Sequence, residues 1–260
     1  MKIISWNVNS VRSRIEHLKE LINNSNPDII CLQETKVENS SFPIKVFEEM
    51  GFKFFALNGM KSYNGVCILS KIEIKKTKIH SFCGINDARH ISAKIDFIDI
   101  HNLYIPAGGD DPDISSNPKF KHKILFLDEL SRVFLKKNKN VLICGDFNIA
   151  PLKDDVWSHK QLQNTVSHTD IEREKLLDFM KSGPWVDIIR KKINPPSNVY
   201  TWWSYRSTDF NKNNRGRRLD HIWCSSDLSG RILSVKIYKI MRNWVKPSDH
   251  VPIETVIKTY

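Results

Sequence analysis

No apolar run in the sequence approaches the roughly 18 to 20 residues that a membrane-spanning helix needs, and that absence excludes a helical membrane protein. No C-x-x-C pair is present, and the five cysteines are an odd number. Neither a disulfide framework nor a cysteine zinc site is expected from such spacings. Cys31, Cys67, Cys144 and Cys224 stand in or beside apolar stretches. They read as buried free thiols in a reducing compartment, which makes a cytoplasmic protein the expectation. The opening Met1-Lys2-Ile3-Ile4-Ser5-Trp6-Asn7 lacks the long apolar segment and small-residue cleavage site of a signal peptide, so none is expected. A Gly-rich phosphate loop and a P-loop lysine are missing, which disfavours nucleoside triphosphate hydrolysis. So is a G-x-S-x-G elbow for an activated serine. No low-complexity linker or composition break divides the chain, and residues 1–260 are read as one domain.

What is present is ordinary globular composition: 40% apolar and 27% charged residues over 260 positions, with a net charge of +11. The charge is uneven. Residues 1–130 carry 17 basic and 16 acidic side chains, whereas residues 131–260 carry 23 and 13. From Arg190 onward the count is 14 against 5. A bias toward Lys, Asn and Ile codons would spread the excess along the chain. Its concentration at one end suits a polyanion instead, because neutralising phosphates releases condensed counterions.

The periodicity predicts an α/β protein. Residues 2–8 read as a short strand. Val11, Ile15, Leu18, Leu21 and Ile22 recur at helical spacing, and Asn26-Pro27-Asp28 ends that pattern before an apolar strand at Ile29–Gln33. GVCILSK, HISAKIDFIDI and HNLYIP read as strands, Phe120 to Leu135 as an amphipathic helix, Val141 to Cys144 as a buried strand and Glu172 to Met180 as a helix. Strands at Leu219–Cys224, Val235–Ile240 and Val251–Ile257 follow. Each half runs strands, a helix and more strands, which suits two sheets packed face to face with helices outside. Lys75-Lys76-Thr77-Lys78 reads as a solvated turn, and His159 and His168 as surface residues.

The chemistry lies where the strands stop. Asn7, Glu34, Tyr104, Asp146 with Asn148, Asp220, and Asp249-His250 each end or adjoin an apolar strand. One such residue is an ordinary cap or turn. Six in one chain suggest strand ends converging on a single rim. Hard oxygen ligands such as Glu34 suit Mg²⁺ or Mn²⁺. Asp146 beside Asn148 can hold and deprotonate a water, and a histidine oriented by a carboxylate can present its other nitrogen to a phosphate. Trp202, Trp203, Tyr205 and Arg206, followed by Arg215-Gly216-Arg217-Arg218, combine aromatic faces with guanidinium groups, a pairing suited to extrahelical nucleotides.

These motifs resemble those of exonuclease III-type apurinic/apyrimidinic (AP) endonucleases in the endonuclease/exonuclease/phosphatase superfamily. The resemblance rests on Ile4-Ser5-Trp6-Asn7-Val8-Asn9, Leu32-Gln33-Glu34-Thr35-Lys36, Gly65-Val66, Gly145-Asp146-Phe147-Asn148, Trp202-Trp203-Ser204-Tyr205-Arg206, Arg215-Gly216-Arg217-Arg218-Leu219-Asp220 and Lys246-Pro247-Ser248-Asp249-His250-Val251-Pro252. It implies a four-layer, DNase I-like α/β sandwich of two packed mixed sheets flanked by helices. It also implies metal-dependent cleavage 5′ to an abasic site in double-stranded DNA during base-excision repair, with 3′→5′ exonuclease and 3′-phosphatase activity at 3′ ends.

Position by position, Glu34 resembles the principal metal ligand, with Asn7 close by, and Asp249 a further site carboxylate. Asp146, Asn148 and His250 complete the expected metal set. Tyr104 resembles the tyrosine near the leaving group. Asp146 and Asn148 resemble the pair that handles the attacking water, and Asp220 the residue that orients His250. Trp202 and Leu219 fall where the family lines its abasic-sugar pocket, with Arg206 and Arg217 as DNA contacts. Arg89 lies in a segment leading to the site. Either Asp146 or the His250–Asp220 pair could serve as base. A monomer bound to DNA in a bacterial-type cytoplasm is expected.

Three positions depart from the family's pattern: Ser10 replaces a usual Gly, Ala107-Gly108-Gly109-Asp110 follows Tyr104-Ile105-Pro106, and Ser204 stands where bacterial relatives often have Asp. Two other classes share parts of this reading. A superfamily phosphatase acting on inositol phosphates or sphingomyelin would lack the basic, Trp-rich last third. A non-enzymatic DNA-binding module would have lost some of Glu34, Asp146, Asn148, Asp220 and His250.

Overall fold

The structure is a computed structural model and describes residues 1–135, 139–206 and 209–259. Its strands are β1 (Lys2–Asn7), β2 (Ile29–Gln33), β3 (Phe54–Asn58), β4 (Val66–Ser70), β5 (Ile74–Lys78), β6 (His90–Ile95), β7 (Ile98–Tyr104), β8 (Val141–Asp146), β9 (Trp185–Asp187), β10 (Asp220–Ser225), β11 (Ile232–Ile237) and β12 (Ile253–Ile257). They form two six-stranded sheets, ordered β11-β12-β1-β2-β4-β3 and β5-β6-β7-β8-β10-β9. Each sheet is mixed, with one parallel pair at its centre: β1 with β2, and β7 with β8. The helix Ile15–Ser25 crosses between the first pair and the helix Pro118–Phe134 between the second.

Side chains alternate across each strand, and both faces are covered, so the central strands read as continuous apolar runs. Ile3, Ile29, Cys31 and Ile68 of one sheet meet Ile100, Leu142, Cys144 and Ile222 of the other between the layers. Their neighbours face outward. Ile4, Trp6, Ile30 and Leu32 pack on Leu18, Leu21 and Ile22 of the first helix. Leu103, Ile143 and Trp223 pack on Phe126, Leu127, Leu130, Leu176 and Phe179 of the helices Pro118–Phe134 and Asp170–Lys181. Cys31, Cys67, Cys144 and Cys224 are buried free thiols, as expected. Among the described residues no helix is long and apolar enough to cross a membrane.

Several sequence expectations need correction. HISAKIDFIDI is two strands, not one. Ile95 pairs with Ile98 across a turn at Asp96, whose φ is +51°. The lysine cluster 75–78 is not a turn but the exposed edge strand β5, and its ammonium groups discourage pairing with another chain there. The strand expected at Val235–Ile240 starts three residues earlier and gives way to a 3₁₀ turn at Lys239–Asn243. Leu219–Cys224 and Val251–Ile257 shift slightly, to Asp220–Ser225 and Ile253–Ile257. His168 is fully buried rather than superficial, and its ring bonds to the Ala150 carbonyl and to His159. Trp203 belongs to the core beside Tyr200 and Phe210.

Candidate active site

The sheet register delivers the polar strand ends to one edge. Asn7 pairs with Gln33, Tyr104 with Asp146, and Asp146 with Asp220. Two glycines permit this geometry. A Cβ on Gly145, whose φ is +139°, would lie 1.9 Å from the Leu103 carbonyl, so β8 can approach β7 only with glycine before Asp146. A Cβ on Gly65 would lie 2.2 Å from Thr35 Oγ1 in the turn just after Glu34. Glu34 and Asn148 themselves sit at φ of +51° and +53°, backbone strain of the kind that accumulates where side chains must be aimed. Ser10 keeps a glycine-like turn, with φ of +90°.

Three hydrogen bonds join the two sheets at this edge, each taking one partner from each sheet. Asn7 Nδ2 donates to Asp146 Oδ2 at 2.9 Å. The Tyr104 hydroxyl donates to Glu34 Oε1 at 2.9 Å. His250 Nδ1 donates to Asp220 Oδ2 at 2.8 Å. Asn7 also donates to Glu34 Oε1 at 2.8 Å, and Asn148 donates through its backbone N–H and its amide to Asp146, at 2.9 and 3.2 Å. The other ring nitrogen of His250, Nε2, lies 3.5 Å from Asn7 Nδ2 and 3.6 Å from Asp146 Oδ2. Asp249 accepts from Trp202 Nε1 at 2.9 Å and from Asn9 Nδ2 at 3.2 Å. Lys36 pairs with Glu34 Oε2 at 2.9 Å.

Burial and neighbouring charge set the protonation states. Burial disfavours an imidazolium at His250, but the Asp220 and Asp146 carboxylates override it and hold its pKa well above the ordinary range. Burial pushes Asp146 up to about 7, with Asp220 and Glu34 adding to the rise and His250 opposing it. At Glu34 burial is outweighed by the Asn7 hydrogen bond and Lys36, so the carboxyl is more acidic than usual. Tyr104 is raised by burial and then by Glu34, so its hydroxyl keeps its proton.

A cleft of about 770 Å³ opens over this edge. Glu34, Tyr104, Asn148, Asp249 and His250 form its polar floor, and Trp202, Leu219, Arg206 and Arg217 its side. Arg217 stacks on Trp202 at 5.3 Å and Arg215 on Trp157 at 4.6 Å. All twelve residues singled out from the sequence therefore meet in or under one cleft, with Asn7, Asp146 and Asp220 buried just beneath it. Trp157 and the wall at Thr165–Ser167 were not anticipated, since nothing in their local pattern marks them. Arg89 stacks on the Tyr104 ring at 4.8 Å and is ion-paired with Asp87.

Comparison with known proteins agrees with this geometry. A family model described as the endonuclease/exonuclease/phosphatase family matches residues 4–250. The chain belongs to that family. Exodeoxyribonuclease III of Haemophilus influenzae is 32% identical over 97% of this chain and 98% of its own length. The DNA-(apurinic or apyrimidinic site) endonuclease of Dictyostelium discoideum is 32% identical over 99% of this chain and 70% of its own. An AP endonuclease from Archaeoglobus fulgidus superposes over the whole of both chains with a TM-score of 0.92 and 33% identity. A 3′ phosphatase from Neisseria, solved with a product DNA hairpin, does so at 0.91 and 28%. The sandwich is the DNase I-like fold of this group, and the chain is a hydrolase of its exodeoxyribonuclease III and AP endonuclease branch.

The family is metal-dependent, and the donor set here fits a hard cation. Asp146, Asp220 and His250 offer ligand atoms within 4.8 Å of one another, and Asp220 Oδ1 is buried with no hydrogen-bond partner among the described residues. Glu34 adds an anionic carboxylate at the cleft floor.

Proposed function

We propose that the protein hydrolyses the phosphodiester 5′ to an abasic site in double-stranded DNA, and that the same site removes nucleotides and phosphates from 3′ ends. One observation carries the reading: carboxylate, amide, phenol and imidazole groups from both sheets are hydrogen-bonded into a single cluster under a cleft walled by Trp202, Leu219, Arg206 and Arg217. An extrahelical abasic sugar has no base to unstack, so an aromatic and aliphatic wall selects it with little sequence readout. Arginines along that wall suit the flanking phosphates.

Asp146, poised near neutrality, takes the proton of the attacking water, and Asn148 fixes that water beside it. His250 is protonated and therefore not the base. It donates from Nε2 to a non-bridging phosphate oxygen while Asp220 holds its other nitrogen. Tyr104 keeps its proton and hydrogen-bonds near the leaving oxygen. Mg²⁺, with Mn²⁺ the alternative, would be held by the cup of Asn7, Glu34, Asp146, Asn148 and Asp249, with Glu34 the principal ligand; His250, protonated on both nitrogens, is left out of the metal set that the resemblance implied. When bound, such an ion polarises the phosphate and offsets the charge of the leaving alkoxide. All of these groups come from one chain, so a monomer suffices. The reading places the protein on DNA in a reducing cytoplasm, with residues 1–260 acting as one catalytic domain.

The test is incision of a labelled duplex carrying one abasic site, with and without EDTA, beside an undamaged duplex. Cleavage 5′ to the lesion that EDTA abolishes is expected. An uncut abasic duplex, or equal cutting in EDTA, refutes the proposal.

A further inference from the structure

Lys123 lies on the apolar face of the helix Pro118–Phe134, flanked by Phe120, Ile124 and Leu127, and its side chain is fully buried. Its partner Glu172, on the helix Asp170–Lys181, is also fully buried, with Lys123 Nζ 2.5 Å from Glu172 Oε1. An ion pair so far from water is costly, and similarly shaped apolar residues often serve stability as well or better. Its hydrogen bonds show what the pair does here. Lys123 Nζ donates to the backbone carbonyl of Asn148 at 2.8 Å and to that of Ala107 at 3.1 Å. The lysine stem also packs under the loop at Gly108, where an added Cβ would meet Lys123 Cδ at 3.0 Å. Glu172 in turn accepts from the Ser167 and Thr169 backbone N–H groups, at 2.9 and 3.1 Å, and from the Thr169 hydroxyl at 2.7 Å. Ser167 Oγ and the Val166 carbonyl accept from Arg217 Nη1, at 2.7 and 3.0 Å.

We propose that Lys123, clamped by Glu172, is a positioning residue for the reaction: its ammonium holds the Asn148 and Ala107 carbonyls, sets the Asn148 amide against Asp146, and ties that corner to the Arg217 wall. Asn148 sits at a left-handed φ, where asparagine is tolerated but not held without help, so an external anchor on its carbonyl has a definite task. The inference rests on the role given to Asn148 above.

The test is a double-mutant cycle on the full chain, using the abasic duplex. Lys123→Met is expected to lower kcat by about 10- to 100-fold with KM changed less than about 3-fold, because misplacement by about 1 Å is enough for a loss of that order. In an Asn148→Ala background the same substitution is expected to cost less than about 3-fold, since the group it positions is gone. Equal losses in both backgrounds, or no loss of kcat in the wild-type background, overturn the proposal. Lys123→Met leaves Glu172 as a lone buried anion and can unfold the protein. Lys123→Met/Glu172→Gln removes both charges and is checked by thermal melting. It is expected to fold and to reproduce the kcat loss, whereas wild-type kcat in the folded double variant refutes the clamp. An Asn148→Ala protein with unaltered kcat would instead sink the reading of the site itself, and the clamp with it.

Discussion

Acid sensitivity of the fold can be worked out at His221, the neighbour of Asp220 on β10. Its Nδ1 faces Arg218 Nη1 at 3.0 Å, and its Nε2 faces the Ile149 carbonyl at 2.8 Å. A guanidinium only donates and a carbonyl only accepts, so the ring is neutral with its proton on Nε2. Burial, and then the Arg218 charge, lower its pKa to about 3. In the unfolded chain the group titrates near 6.5. The unfolded state therefore binds the extra proton first as pH falls, and stability is lost below about 6.5 at up to about 1.4 kcal/mol per pH unit. Between pH 7.5 and 5.0 the loss amounts to about 2 kcal/mol. His221→Gln keeps a donor for Ile149 but cannot titrate. It is expected to be less stable at pH 7.5, by about 1–3 kcal/mol, for want of the acceptor facing Arg218. Urea unfolding of both proteins at the two pH values isolates the effect, because the other acid-sensitive groups are common to both. The wild type should lose about 2 kcal/mol more than the variant between pH 7.5 and 5.0; parallel losses refute the assignment of a buried neutral imidazole.

Asp220→Asn leaves His250 without the carboxylate that orients it, and kcat should fall by about 10²- to 10⁴-fold with abasic-duplex affinity nearly unchanged; a kcat within tenfold of wild type contradicts this role. Asp155 is buried between the Arg190 and Arg218 guanidinium groups. Asp155→Ala strands both charges and should destabilise the fold by about 3–5 kcal/mol, read as a fall in urea midpoint; an unshifted midpoint argues against the network. Mg²⁺ should raise the melting temperature of the wild type, approaching about 2.7 kcal/mol of stabilisation at a hundred times Kd, and should do so far less for Glu34→Gln. Equal shifts in the two proteins remove Glu34 from the ligand set.

Much of the fold was legible because its central strands are buried on both faces. β2, β4 and β8 are wholly buried, and each shows as an apolar run of strand length. The edges were harder to read. β5 exposes nearly all of its residues, β3 is only half-buried, and β9 has three residues, so neither length nor period announces them. The site was legible because a polar residue ending a buried strand breaks the apolar pattern abruptly. Its supports were hidden for the opposite reason. Lys123, Glu172, Asp155 and Arg218 are charges at fully buried positions. Sequence pattern places such residues in solvent, and only their partners, distant in the chain, explain them.

The topology also explains why the reactive groups gather at one seam. The two sheets repeat one plan: β1, β2, β4 and β12 occupy the places that β7, β8, β10 and β6 occupy in the other. Equivalent strand ends then carry complementary groups. Asn7 ends β1 and Tyr104 ends β7; Glu34 follows β2 and Asp146 ends β8; His250 precedes β12 by three residues and Arg89 precedes β6 by one. Packing the sheets face to face brings the two sets together at their shared edge, and the Asn7–Asp146, Tyr104–Glu34 and His250–Asp220 bonds close across it. Neither sheet alone holds a working set, since one supplies Glu34 and His250 and the other the carboxylates Asp146 and Asp220. A one-residue slip in β8 would turn Asp146 to the opposite face and break the arrangement. Gly145, which alone allows β8 to lie against the Leu103 carbonyl, is therefore as necessary to the site as the aspartate that follows it.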